Sequence, residues 1–424
     1  MTYRALRTAI PSAVLAALIA CTPAIAETLP VGAPEKVGMS KEKLDRITTV
    51  FKAEIDRNQL PGAVIGVVRK GQLVYFESLG YRDPTTKDAM PANAIFAIAS
   101  MTKPMVSIAI MMLHDEGKLL LSDPVGKFLP TLADMKVGVV KGDTLETVAA
   151  TRQPTVQDLL HHTSGFTYGG RGDTPVHKLW PTSSGTSGTT LTSQEFVATL
   201  AKAPLLYQPG TQWDYSLSVD ALGLIVEAVS GKPLAAFLQE RIWTPLGMVD
   251  TGFSIPEAKK ARHAQAYVND PRNGKPQFVL QADGKPLKFD CGGGCAMSTA
   301  PDYLRFAQML ANGGILDGKR IIASKTLAMM TTDQLGADVR ARTINPVLPT
   351  GYSFGLGFAV RSQPGLAAFA GSQGDYYWGG AYGTYFWVDP KEQLTAVLMA
   401  AAPGEIRSQN APLLRNLVMQ AIVE

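Results

Sequence analysis

The chain has 424 residues, 46% of them hydrophobic and 18% charged, with a formal net charge of +4. That balance suits a globular protein with a sizeable core, as one large domain or two interleaved ones. No Lys/Arg-rich cluster occurs, which excludes the electrostatic footprint of a nucleic-acid binder. Beyond the N-terminus no apolar run is long enough to span a bilayer.

Residues 1–26 read as an export signal. Arg4 and Arg7 supply the positive region, Ile10 to Ala20 the apolar region, and Ala24-Ile25-Ala26 a small-x-small cleavage site before Glu27. Cleavage there removes two arginines and no acid, lowering the charge from +4 to +2. The expected destination is the periplasm or the medium. Leu18-Ile19-Ala20-Cys21 also fits a lipobox, so lipid anchoring through Cys21 is the alternative.

Leu44, Ile47, Val50, Phe51 and Ile55 recur at helical spacing and predict an amphipathic helix over 41–57, with Ser40 as its cap. Ala63 to Arg69 and Leu73 to Leu79 then read as strands joined by a turn at Lys70-Gly71-Gln72. Next comes Ala99-Ser100-Met101-Thr102-Lys103-Pro104, at the mouth of the most apolar helical run in the chain, Met105 to Leu113. Positions three apart share a helix face, so Ser100 and Lys103 project side by side. Desolvation pushes a buried lysine toward the neutral amine, and a neutral amine beside a serine activates it as a nucleophile. The plainer alternative is that Ser100 caps the helix and Lys103 snorkels to solvent. Ser40-Lys41-Glu42-Lys43 has the same Ser-x-x-Lys spacing in a solvated charged turn, so the motif by itself is weak.

From about 117 to 345 the chain reads as mainly helical. Thr155 caps a short helix to Leu160, Ser193 caps one to Lys202, Leu217 to Val229 forms another, and 301–311 and 323–331 follow. Residues 163–192 form a Gly/Ser/Thr-rich loop of a length that is usually functional or mobile. Cys291 and Cys295 are the only cysteines left after signal removal, and their spacing in an exported chain points to a small disulfide loop, with free thiols as the alternative. The five histidines are scattered apart from His161-His162, which read as structural, so no metal site is expected. Ser353 to Val360, Tyr382 to Val388 and Leu394 to Ala400 read as strands, and Pro412 to Val423 as a closing amphipathic helix. Strands at both ends around a helical middle predict an α+β fold of the α/β-sandwich type. One antiparallel sheet is built from about 40–116 and 346–424, with a helical insertion over about 117–345.

A serine nucleophile also needs a base and an oxyanion hole. The Gly-x-Ser-x-Gly elbow is absent. Tyr215, delivered by a Pro209-Gly210 turn at the start of an apolar helix, is the candidate partner; a nearby ammonium would have to lower its ordinary pKa of about 10. Its alternative is a tyrosine simply packed at a helix start.

With these pieces in order the chain resembles the class C β-lactamase fold family of penicillin-recognising serine hydrolases, and within it the family VIII carboxylesterases. Ser100-Met101-Thr102-Lys103 matches the first motif and Tyr215-Ser216-Leu217 the second. Leu159 to Gly165, Pro245-Leu246-Gly247-Met248, Gly293-Gly294 with Ser298-Thr299, and Trp378-Gly379-Gly380 are similar to further landmarks. Tyr267-Val268-Asn269 comes too late to be the second motif. The resemblance implies Ser100 as the acylated nucleophile, Lys103 with Tyr215 as the base pair, and an oxyanion hole from the backbone N–H groups of Ser100 and Ala381. It implies no cofactor, and Trp378, Gly379 and Gly380 as substrate-binding. Two departures stand out. No Lys-[Ser/Thr]-Gly occurs, Trp378 taking the place of its lysine, and Leu217 replaces the asparagine of Tyr-x-Asn. A carboxylate left facing an apolar wall loses roughly 1–3 kcal/mol. The expected activity is therefore hydrolysis of neutral carboxylic esters, with acyl transfer to another alcohol as a variant. A β-lactamase or D-Ala-D-Ala peptidase, and an idle envelope protein that binds through the same cleft, are the rivals.

Overall fold

The computed structural model describes residues 28–142, 144–281, 284–341 and 347–424. The export signal and Cys21 lie outside them. Lys41–Asp56 forms α1, whose N-cap Ser40 accepts the Lys43 N–H at 3.3 Å, so the second Ser-x-x-Lys is a helix start. Leu44, Ile47, Phe51 and Ile55 are its buried stripe. Gly62–Arg69 (β1) and Gln72–Asp83 (β2) form a hairpin across Lys70-Gly71, at φ 49° and 74°. Two residues, rather than three, make this turn, because paired positive φ values match the twist of the strands. Asp88–Ala89 (β3) pairs with the far end of β2.

Thr102–Asp115 (α2) is buried from Thr102 to Leu113; Val156–Leu160 (α3) packs on Ser218–Ser230 (α4), and α4 packs on α2. Thr155 and Asp158 close a reciprocal capping box on α3. The helix ending at Lys202 is capped by Thr192, with Ser193 as its first residue. The middle of the chain is less uniformly helical than its pattern predicts: Lys136–Lys141 and Thr144–Ala149, six residues each, pair as a hairpin, and branched residues at 137, 139, 140 and 148 explain it. Ala300–Ala311 (α5) falls within the predicted insertion but lies on the sheet.

Tyr352–Phe354 (β4) and Ala359–Arg361 (β5) are two strands where one was expected, because the chain reverses through Gly355 to Phe358. Tyr376–Gly379 (β6), Tyr385–Asp389 (β7) and Leu394–Ala400 (β8) follow. The expected strand start at Tyr382 shifts to Tyr385, since residues 380–384 make a turn. Arg407–Met419 (α6) starts five residues before the predicted Pro412, which lies inside the helix. All eight strands join one antiparallel sheet in the order β4-β5-β6-β7-β8-β1-β2-β3. Both chain ends therefore meet at β8–β1, in a register running from Ala63↔Ala400 to Arg69↔Leu394.

β1 is buried along its whole length, and strand alternation splits it between two cores. Ala63, Ile65 and Val67 join the layer beneath α1 and α6; Val64 and Val68 join the larger core beneath α2 and α5. Among the described residues no single helix is long and apolar enough to cross a membrane.

Candidate active site

Ser100 occupies a 3₁₀ turn, Ala99–Met101, that runs directly into α2. Ala99 holds φ +43°, uncommon for any residue but glycine. Its surroundings over-determine it, which is how such strain survives. The Ile98 N–H donates to the Ala296 carbonyl at 3.0 Å, and the Ile98 carbonyl accepts from the Met101 N–H at 3.0 Å and the Thr384 hydroxyl at 3.1 Å. The Thr102 hydroxyl donates to the Ala99 carbonyl at 2.7 Å and accepts from the Ala296 N–H at 3.1 Å.

Lys103, only 1% exposed, does not snorkel. Its Nζ donates to the Gly293 carbonyl at 2.6 Å and the Tyr168 hydroxyl at 3.0 Å. Tyr168 meets Ser184 Oγ at 3.2 Å, Ser184 donates to Asp220 Oδ2 at 2.8 Å, and Asp220 Oδ1 accepts the Gly293 N–H at 2.9 Å. Five residues thus close a ring of hydrogen bonds around the lysine. Gly293 has to be glycine, because a Cβ would collide with the Asp220 carboxylate and Ser184 Oγ. Burial pushes Lys103 toward the neutral amine, as its sequence position implied. The charges of Tyr168, Tyr215 and Asp220 outweigh burial, and the net shift is upward. The expectation of a neutral amine is therefore corrected: a buried cation among oxygen partners stays charged. Asp220 itself is raised by burial, with Lys103 and its hydrogen bonds acting against that rise.

Tyr215 stands on the other side of the lysine, its ring centroid 4.6 Å from Nζ. The Asp214 N–H donates to the His162 carbonyl at 3.0 Å, the His162 ring lies 4.8 Å from that of Tyr215, and His162 Nδ1 meets Ser216 Oγ at 3.0 Å. Burial, with Lys103 adding to it, holds His162 well below its ordinary pKa. A neutral, packed imidazole agrees with the structural role expected for His161-His162. Trp378, 4% exposed on β6, is more than an apolar wall: its Nε1–H donates to the Tyr215 oxygen at 3.3 Å, with the rings 5.2 Å apart. Leu217 is fully buried in the core, so the missing asparagine leaves no gap at the site.

The turn after β6 brings Ala381 to Ser100. The Gly380 N–H donates to the Thr384 carbonyl at 2.7 Å, and the Gly383 N–H to the Gly380 carbonyl at 3.1 Å. A Cβ at Gly380 would run into Thr384 Oγ1 and the Ile98 carbonyl, the two groups that join this turn to the Ser100 turn. A cavity of about 550 Å³ opens here, lined by Ser100, Tyr215, Trp378, Ala381, Arg171 and Arg407 among others. A recess of about 190 Å³ continues from Ser100 past Tyr168, Ser184 and Gly293.

The structure thus gathers Ser100, Lys103, Tyr215, Trp378, Gly379, Gly380 and Ala381 at one place. Tyr267 lies elsewhere, its hydroxyl meeting the Leu60 carbonyl at 3.4 Å. Cys291 and Cys295 are joined as a disulfide, Cα atoms 5.3 Å apart, in the loop that offers the Gly293 carbonyl to Lys103. Sequence reading missed Tyr168, Ser184 and Asp220, along with Arg171 and Arg407. Three of these fall in the 163–192 loop, whose length was the one available signal. Among the described residues no cluster of three His, Cys, Asp or Glu is placed to hold a metal.

A sequence profile of the Beta-lactamase family matches residues 47–418. The chain belongs to that family. Protein Rv1367c of Mycobacterium tuberculosis is 35% identical over 359 residues, 83% of this chain and 88% of its own length. Esterase EstB of Burkholderia gladioli is 32% identical over 383 residues, 84% of this chain and 89% of its own. The solved structure of EstCE1, described as a hydrolase with promiscuous acyltransferase activity, matches with a TM-score of 0.74 at 26% identity, covering 89% of this chain and 98% of that one. The protein is a serine hydrolase of β-lactamase fold.

Proposed function

We propose that this protein cleaves carboxylic esters through an acyl-enzyme on Ser100. The observation that carries the reading is the Trp378 Nε1–H on the Tyr215 oxygen, at the strand position where β-lactamases and D-Ala-D-Ala peptidases of this fold present a lysine. Tyr215 acts as the phenolate, its negative charge held beforehand by the Trp378 N–H and the Lys103 ammonium; Ser100 Oγ attacks the ester carbonyl while this phenolate takes its proton and becomes a neutral phenol. The N–H groups of Ser100 and Ala381 receive the oxyanion. Tyr215 returns the proton to the departing alcohol, and water then hydrolyses the acyl-enzyme by the same steps. The likeness to EstB and EstCE1 supports the ester class. Arg4, Arg7, Ile10 to Ala20 and Ala24-Ile25-Ala26 support export to the periplasm or beyond.

The test is turnover of p-nitrophenyl butyrate, a chromogenic cephalosporin and a D-Ala-D-Ala peptide, with Ser100→Ala alongside. The ester is expected to be the best substrate, and a fluorophosphonate to label Ser100 as read by mass spectrometry. A cephalosporin turned over far faster than any ester, or an adduct on another residue, overturns the proposal.

A further inference from the structure

Three consecutive glycines, Gly292-Gly293-Gly294, present the carbonyl on which Lys103 rests. Glycine has the most backbone freedom to lose, so such a loop does not aim a carbonyl by itself. Here the aim is close. The Gly293 carbonyl accepts from Lys103 Nζ at 2.6 Å, and the Gly293 N–H donates to Asp220 Oδ1 at 2.9 Å. Space demands the glycines: a Cβ on Gly292 would stand 2.7 Å from the Val219 carbonyl of α4. The loop lies flat on α4 without a side chain to anchor it.

Its anchors are the two residues that bracket it. Cys291 and Cys295, both fully buried, are bonded to each other, and the N–H groups of Gly294 and Cys295 donate to the Cys291 carbonyl at 3.2 Å. The sulfurs also support the opposite wall. A Cβ on Gly188 would stand 2.7 Å from Cys291 Sγ and 3.1 Å from Cys295 Sγ, so the helix Ser184–Thr190 rests directly on them. That helix begins with Ser184, which joins Tyr168 to Asp220. Just past Cys295, the Ala296 N–H donates to Thr102 Oγ1 at 3.1 Å and its carbonyl accepts the Ile98 N–H at 3.0 Å, on either flank of Ser100. One covalent link thus lies beneath the Lys103 acceptor, the Ser184 hydroxyl and the backbone that seats the Ser100 turn.

We propose that the Cys291–Cys295 disulfide is a positioning device for catalysis: it holds the Gly293 carbonyl on the Lys103 ammonium, so that acylation of Ser100 is full only in the oxidised protein. This rests on the Ser100 acyl-enzyme of the reading above, but not on the ester class. With the bond open, the glycine loop regains its freedom and spends part of its time off the lysine. A hydrogen bond to the charged form favours that form, so losing the carbonyl lowers the Lys103 pKa. The other influences on Lys103 remain: burial, which lowers its pKa, and the charges of Tyr168, Tyr215 and Asp220, which raise it. The neutral His162 ring and the Arg171 guanidinium stay beside Tyr215. Closing the bond moves two electrons and two protons from the paired thiols to a disulfide oxidant, which leaves as two thiols.

The experiment follows the rate at which a fluorophosphonate labels Ser100, which reads activation of the nucleophile whatever the natural substrate. It compares the oxidised protein, protein made in a reducing cytoplasm with free thiols at Cys291 and Cys295 by mass spectrometry, that same sample closed with oxidised glutathione, and Cys291→Ala/Cys295→Ala. The reduced protein and the double variant are expected to label roughly tenfold more slowly, with the alkaline limb of the rate profile moved to lower pH. Oxidised glutathione should restore the first and leave the second unchanged. Turnover of p-nitrophenyl butyrate should fall in kcat with KM kept. All forms are assayed well below their melting midpoints. A bond that only staples the fold lowers the melting temperature and leaves the rate and its pH profile alone; that result overturns the proposal. So does a slower rate with an unmoved limb, because Lys103 is then not the group affected, and so does a reduced protein that is unfolded at the assay temperature. Should the double variant not fold, the reduced and re-oxidised wild type decide. Ester turnover indifferent to the redox state overturns the positioning role and leaves the ester reading standing. Redox-dependent labelling with no turnover of any ester upholds the positioning role and sinks the ester reading.

Discussion

Two unlike halves meet at Ser100. On the Lys103 side, five residues form a closed ring of hydrogen bonds in which each polar group faces another, and no bulk solvent reaches the lysine. On the Ala381 side, the walls come from β6, the turn after it, the 163–192 loop and the start of α6, and they enclose open space. The closed half is one where charge is balanced within the protein, as proton transfer at a fixed place requires. The open half is lined by Arg171 and Arg407 alongside Trp378 and Ala381 and leaves room for what binds. The Ala99–Met101 turn is the seam, bound to the open half through Thr384 and to the closed half through Lys103 at the first turn of α2.

Substitutions can break each half separately. The largest effect is expected at the seam: Ser100→Ala should lower ester kcat on the order of 10⁵-fold, with substrate binding kept, as read by steady-state kinetics and calorimetry. On the open half, Gly380→Ala forces its Cβ against Thr384 and Ile98 and moves Ala381. A loss of roughly 10²–10³-fold in kcat, the cost of an oxyanion donor, is expected with a folded circular-dichroism spectrum. On the closed half, Asp220→Asn removes a charge that raises the Lys103 pKa. The alkaline limb of the kcat/KM profile should move to lower pH, with a loss of roughly tenfold at neutrality. An unmoved limb would remove Asp220 from the tuning of the site.

The smallest effect concerns the frame. His161 and His263 are pushed down to about 4 by burial. Their unfolded value is roughly 6.5, so between about 4 and 6.5 the unfolded chain binds more protons than the folded one. Their contribution is present above pH 6.5 and is lost as pH falls toward 4. Asp302, raised to about 6 by burial, works in the opposite direction between roughly 4 and 6 and softens the slope. The melting temperature should fall by several degrees from pH 7 to pH 5; a rise would show that Asp302 outweighs the histidines.

Much of the fold was legible because its signals are local. Ser40, Thr155 and the Lys70-Gly71 turn act within a few residues, and the apolar spacing of α1 and the branched run of β1 announce their periods. The misjudged elements are those where a local rule yields to packing. Pro412 reads as a helix start but sits inside α6. Ser353 to Val360 reads as one strand but folds back on itself. The hairpin at 136–149 is short and lies among helices, so the surrounding pattern masks it.

In the site the division follows the same reason. Sequence alone determined Ser100, Lys103 and Tyr215 as candidates and Trp378-Gly379-Gly380 as a landmark, because the first pair lies three residues apart and the rest stand in a recognisable order. Tertiary structure decided what surrounds them. Tyr168, Ser184, Asp220 and Gly293 reach Lys103 across separations of 65 residues and more, and no local pattern encodes such a ring. It also decided which charged groups line the cavity. The loss of the strand lysine reads in sequence as loss of positive charge, but Arg171 and Arg407 line the cavity from two other elements. The electrostatic field at a nucleophile depends on distance through space, whatever the order of residues along the chain.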